Sequence, residues 1–190
     1  MWVIDLFVSK NLYNNIQDGC EYAEDAWSGK IYSTFWLFIS SIFFMWKMVS
    51  RFKVGRVGIS RINLVMAIDS LNQYILQGKI GYICVTNTRT AYLSNVNDKY
   101  CDIQNNSLLT VPDGMPLIWI AHNLGFLEVG RTCGPDLFLA VLEESKIKKY
   151  SHYFFGSTPQ TITAIKRKLS LEYSSVVIKN AVSPPFQPIE

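Results

Sequence analysis

Apolar and polar residues follow one another along this chain with two different periods. Leu64, Val65, Ile68, Leu71 and Ile75 recur at helical spacing, and Gly78 is placed to end that helix. Ile80–Val85 (IGYICV) is a short unbroken apolar run, the mark of a strand buried on both faces. The same succession then repeats. A helical stretch around Ala91–Val96 precedes a strand at Leu108–Val111, and a helix from about Met115 to Asn123 is closed by Gly125. A third round gives a helix near Asp136–Glu144, a strand at Tyr153–Phe155, a helix from Pro159 to Leu171 and a strand at Val176–Ile178. Strands alternating with helices of about ten residues predict right-handed βαβ units. The expected class is α/β: a Rossmann-like, mostly parallel sheet flanked by helices.

Upstream the pattern changes. Ile31–Trp46 (IYSTFWLFISSIFFMW) is an uncharged run that predicts a hydrophobic helix. If Lys47 snorkels, the apolar stretch reaches about residue 49, near the roughly 17–25 residues that a membrane span needs. Tyr32, Trp36 and Trp46 suit the interfaces of such a span. Asp18, Glu21, Glu24 and Asp25 precede the run, whereas Lys47, Arg51, Lys53, Arg56 and Arg61 follow it. A spanning helix would therefore leave the C-terminal part on the cytoplasmic side. A buried core helix is the alternative, as is an upstream stretch outside the working protein, with Met45 or Met48 as the start. The chain opens without the basic n-region and small-residue cleavage site of a signal peptide. The expected division is an N-terminal extension over residues 1–51, with the hydrophobic helix at about 31–49, and an α/β domain over 52–190.

Composition narrows the picture. A chain of 190 residues, 49% of them hydrophobic, suits one sizeable core. A net charge of +3 is too mild for a dedicated nucleic-acid binder but leaves phosphate-bearing ligands and anionic lipid open. Cys20, Cys84, Cys101 and Cys133 form no C-x-x-C pair, which argues against a disulfide framework or zinc site and for a reducing compartment. His122 and His152 are the only histidines and lie near no recognisable nucleophile, so a structural or exposed role is expected for both. No metal and no cofactor is expected. Neither a Walker lysine pattern nor G-x-G-x-x-G occurs, which leaves P-loop hydrolysis and dinucleotide binding unsupported.

In parallel sheets ligands bind where loops leave the carboxyl ends of the strands. Thr86-Asn87-Thr88-Arg89 follows the first strand, and its hydroxyls and amide suit either a sugar or a turn that caps the next helix. Pro112-Asp113-Gly114 follows the second. It is a common turn, but at the mouth of a buried sheet its carboxylate is also a candidate general base. Gly130-Arg131-Thr132-Cys133-Gly134-Pro135-Asp136 sets an arginine before a helix, where its planar donors suit a diphosphate; a solvated loop charge is the alternative. Gly156-Ser157-Thr158-Pro159 opens another helix, with Thr158 as N-cap and backbone N–H groups suited to a phosphate or hydroxyl.

Taken in order, VTN, VPDGMPLIW, GRTCGPDL, FFGSTPQTI and SPPFQP closely resemble the WecG/TagA/CpsF glycosyltransferase family over roughly Phe52–Glu190. The order of these motifs is far more specific than any one of them. The resemblance implies inverting transfer of an N-acetylmannosamine-type sugar from a UDP donor to a polyprenyl-diphosphate-linked sugar, in teichoic acid, common-antigen or exopolysaccharide synthesis. It implies Asp113 as the catalytic base, and Thr86, Asn87, Arg131, Gly134, Asp136, Gly156 and Ser157 around the substrates. The expected setting is the cytoplasmic face of a bacterial inner membrane, with the membrane surface as a partner, no nucleic acid, and homo-oligomers as a further expectation. No DxD motif occurs, consistent with a family that does not use a metal in that manner.

Three departures stand out. Arg89 occupies a position where the family commonly has Glu or His, the apolar N-terminal run is foreign to the family core, and a typical member continues beyond the point matching Glu190. The competing readings are a truncated, non-catalytic, membrane-associated protein that at most binds a sugar nucleotide, and a generic nucleotide-binding α/β module.

Overall fold

The computed structural model describes residues 49–185 and the backbone of Val3–Asp5. The apolar run Ile31–Trp46 and the end of the SPPFQP motif lie outside the described residues. Among the described residues no helix is long and apolar enough to cross a membrane.

The described elements alternate as expected for an α/β chain. They are β1 (Val3–Asp5), β2 (Arg51–Val54), β3 (Val57–Ser60), α1 (Leu64–Leu76), β4 (Tyr82–Thr86), α2 (Thr88–Val96) and α3 (Asp98–Asn106). There follow β5 (Leu109–Pro112), α4 (Met115–Asn123), α5 (Gly134–Lys148), β6 (Ser151–Phe155), α6 (Pro159–Glu172) and β7 (Val177–Val182).

Parallel pairing is present, β4 with β5 and β6 with β7, but one continuous sheet is not. The strands divide into β1-β4-β5, β2-β3 and β6-β7. Antiparallel β1 takes the edge of β4 opposite β5, with Ile4 facing Ile83, so both edges of β4 are occupied. On the far side of β5, β3 approaches without a ladder, and the Thr110 amide donates instead to the Ser60 hydroxyl at 3.0 Å.

Two described elements lie outside the set expected from the sequence. β2 and β3 form a hairpin closed by Gly55-Arg56, Gly55 having φ +62° as the first position of a tight primed turn demands. Asn95 of α2 clamps it, its Oδ1 accepting from the Arg56 amide at 2.7 Å and its Nδ2 donating to the Val54 carbonyl at 3.2 Å. α3 is capped by Asn97, which accepts from the Tyr100 amide, and carries Asp98 in its first turn. Its fully buried positions are Cys101 and Gln104, one small sulfur residue and one amide, so no apolar stripe announces it.

Helix ends otherwise follow the glycines. After α1, Gly78 donates to the Ile75 carbonyl and Lys79 to Tyr74; after α4, Gly125 donates to His122 and Phe126 to Ala121, both being Schellman closures. One core cluster gathers Phe52, Val57, Ile59, Leu117, Ile118 and Val129, joining the hairpin to α4. A second gathers Leu142, Leu169 and Val176 beneath β6 and β7.

Candidate active site

The carboxyl ends of β4 and β5 lie side by side, with Thr86 opposite Pro112. Asp113 is fixed where three stretches of backbone meet. Its amide donates to the Thr86 carbonyl at 2.7 Å, and the Pro112 carbonyl beside it accepts from the Thr132 amide at 2.8 Å. Gly114 then takes φ +137°, a value open to glycine, and α4 starts at once with Pro116 in its first turn. The loop before α5 is tied in turn to the domain by Gly130, which donates to the Ile62 carbonyl at 3.1 Å.

This arrangement aims the Asp113 side chain, 26% exposed, at Arg131, whose Nε stands 3.6 Å from Oδ1. The contact is a charge pairing longer than a hydrogen bond. Arg131 is 56% exposed, and among the described residues no hydrogen bond is made by its terminal nitrogens. Its planar donors face solvent beside a half-shielded carboxylate. α4 and α5 both begin here without a side-chain cap, so the positive ends of their dipoles and their first-turn amides add to the positive potential. Gly134, at the start of α5, lies against the side chain of Val85 in β4.

The other residues singled out in the sequence fall in different places. Thr86 is fully buried, and its hydroxyl donates to Gln104 Oε1 at 2.6 Å, so it faces the interior and not the loop mouth. Asn87 is exposed and makes a capping box with Thr90: its Oδ1 accepts from the Thr90 amide, while its own amide donates to Thr90 Oγ1. That is the helix-capping role weighed for it above. Asp136 accepts the Cys133 thiol at 2.9 Å, an interaction that pushes the thiol above its ordinary value. Gly156 and Ser157 stand at the carboxyl end of β6, in the other parallel pair. Gly156 donates to the Val182 carbonyl at 3.0 Å, and Ser157 holds the left-handed conformation with φ 63°. Among the described residues no hydrogen bond or ion pair links them to Asp113 or Arg131.

The histidines are engaged elsewhere. His122 Nε2 meets the Val129 carbonyl at 2.9 Å, and His152 Nε2 meets the buried Ser145 hydroxyl at 2.7 Å. Cys84, Cys101 and Cys133 are free thiols, and no group of three or more metal-ligating side chains forms among the described residues. Gln104, absent from the residues singled out by sequence, is the one that touches the site from beneath.

Residues 52–190 match the Glycosyl transferase WecG/TagA/CpsF family. The chain belongs to that family. Among curated proteins it is similar to the N-acetylglucosaminyldiphosphoundecaprenol N-acetyl-beta-D-mannosaminyltransferase of Bacillus subtilis (strain 168), with 26% identity over 117 residues, 61% of this chain and 46% of that one. It is also similar to the protein of the same name from Bacillus spizizenii (strain ATCC 23059 / NRRL B-14472 / W23), with 22% identity over 105 residues, 55% of this chain and 41% of that one. This WecG/TagA/CpsF-family chain thus matches less than half the length of either curated relative.

Proposed function

We propose that the chain transfers an N-acetylmannosamine-type sugar from a UDP donor to a polyprenyl-diphosphate-linked N-acetylglucosamine, in the synthesis of a cell-surface polysaccharide. The observation that carries the reading is the pairing of Asp113 with Arg131 at the adjoining ends of β4 and β5, in a chain of this family. In this reading Asp113 takes the proton of the acceptor hydroxyl as it attacks the anomeric carbon, inverting it. Arg131 and the uncapped first turns of α4 and α5 stabilise the charge that gathers on the departing diphosphate. Asn87 and Asp136 contact the donor, Gly134 lets α5 start close to β4, and Gly156 and Ser157 bind the nucleotide. Thr86 acts from beneath, through its carbonyl.

A lipid-linked acceptor places the work at a membrane surface. Met115 and Trp119, one helical turn apart and both exposed at the start of α4, supply apolar area on the Asp113 side for that purpose. The proposed setting is the cytoplasmic face of the bacterial inner membrane, with residues 1–51 as an N-terminal extension that lends β1 to the domain over 52–190.

Incubating the detergent-solubilised chain with UDP-N-acetylmannosamine and a short-chain polyprenyl-diphosphate-N-acetylglucosamine tests the reading. A lipid product heavier by one N-acetylhexosamine, formed only with both substrates, supports it. A second reading is a fold that binds a sugar nucleotide without turning it over, Asn87 and Asp136 being already held by Thr90 and Cys133. UDP binding with no product would select that one, and no binding of any UDP-sugar would count against both.

A further inference from the structure

We infer that Gln104 is a positioning residue for Asp113, acting through the buried Thr86 hydroxyl; the inference rests on the reading of Asp113 as the base. Gln104 and Thr86 are both fully buried. Thr86 Oγ1 donates to Gln104 Oε1 at 2.6 Å, and the carbonyl of the same threonine holds the Asp113 amide at 2.7 Å. One residue therefore connects α3, by its side chain, to the base-bearing loop, by its backbone.

Gln104 is itself rigidly held. Its backbone carbonyl accepts from Ser107 Oγ at 2.8 Å, Thr110 Oγ1 at 3.0 Å and Arg51 Nη1 at 3.3 Å. A threonine has few χ1 choices, and a bond from its hydroxyl to a fixed acceptor selects one of them. Thr86 is the last residue of β4, its backbone paired with Pro112 of β5, and the peptide after it turns into the cap of α2, so the Gln104 bond acts on the final rung before the chain leaves the sheet.

The arrangement is costly in one respect. Gln104 Nε2 is buried with no hydrogen-bond partner among the described residues. Apolar side chains of similar shape at Gln104 and Thr86 would remove both that orphan donor and the bond, and such paired replacement is close to neutral for stability. A core built only for stability has no use for the amide, whereas one that must orient Thr86 does.

The test compares Gln104→Met and the double variant Gln104→Met/Thr86→Val with the full wild-type chain. Three quantities are read: thermal midpoint, transferase kcat and donor KM, and exchange protection of the Asp113 amide against those of β5. Positioning predicts a double variant with an unchanged or raised midpoint, kcat down about tenfold in both variants with KM little moved, and lower protection at Asp113 alone. A wild-type kcat in Gln104→Met overturns the inference, as does a fall in kcat with Asp113 protection intact. If the wild-type chain transfers no sugar, the reading of Asp113 fails by itself, and the exchange pattern still decides whether Gln104 holds that loop.

Discussion

Asp113 and Arg131 were legible as candidates because each sits in a loop after a strand, between residues that shape backbone. Their pairing was not legible, since it depends on Thr132 reaching back to Pro112 and on Gly114 turning the chain into α4. Thr86 shows the opposite failure. Its polar side chain at a strand end suggests a ligand contact, yet the alternation of a strand buried on both faces turns it inward to Gln104. Replacing Arg131 by Gln removes a charged donor worth about 1.5–3 kcal/mol in a hydrogen bond. Steady-state kinetics on the Arg131→Gln variant should show kcat/KM for the donor lower by a factor on the order of 10 to 100.

His152 makes a separate prediction at this scale. Burial pushes its imidazole below the ordinary value. As pH falls below about 6.5, the unfolded chain takes up a proton that the folded chain still refuses, so stability declines from there until the lower folded value is passed. Thermal midpoints recorded between about pH 7.5 and 5.5 should decline, and the decline should be shallower in His152→Gln. Equal slopes would mean that the ring is not the group responsible.

Among the elements, helices with an apolar stripe and a glycine stop were readable almost to the residue. α4 runs from Met115 to Asn123 as its pattern predicts, and α1 closes at Gly78 by the bonds that such a glycine permits. α3 escaped because its buried face is Cys101 and Gln104, and the β2–β3 hairpin because its arginines resemble the basic flank of a membrane segment. In the fold those arginines have local partners. Arg51 donates to the carbonyls of Gln104, Asn105 and Ser107 at the end of α3, Arg56 pairs with Asp98, and Arg61 pairs with Glu128 while lying 3.8 Å over the Phe126 ring. The hairpin turn is open to a direct test. A Cβ on Gly55 would meet Asn95 Oδ1 at 2.0 Å, at a backbone angle that disfavours any side chain. Urea unfolding should find Gly55→Ala less stable by about 1–3 kcal/mol.

For the whole molecule, the alternation of strands and helices revealed the class but not how the strands assemble. The pattern within each strand is indifferent to its neighbour, so nothing in Ile80–Val85 or Tyr153–Phe155 told that they would stand in separate sheets. The third strand of the β4–β5 sheet, β1, comes from the first five residues, far from the domain in sequence yet in one compact unit with the residues from Arg51 onward. If β1 shields the edge of β4, deleting residues 1–5 should lower the thermal midpoint by several degrees, given a loss of about 1 kcal/mol or more. An unchanged midpoint would show that the pairing adds nothing to stability.

The proposed reaction stands or falls with Asp113 as the base of a sugar-nucleotide transfer. The most direct measurement is UDP release by wild type and Asp113→Asn, folded to the same thermal midpoint, with UDP-N-acetylmannosamine and the lipid-linked N-acetylglucosamine together and each alone. A base at Asp113 requires acceptor-dependent release by wild type and a fall of about 10²–10⁴-fold in the variant, the usual worth of a general base. Equal release by the two proteins would contradict it.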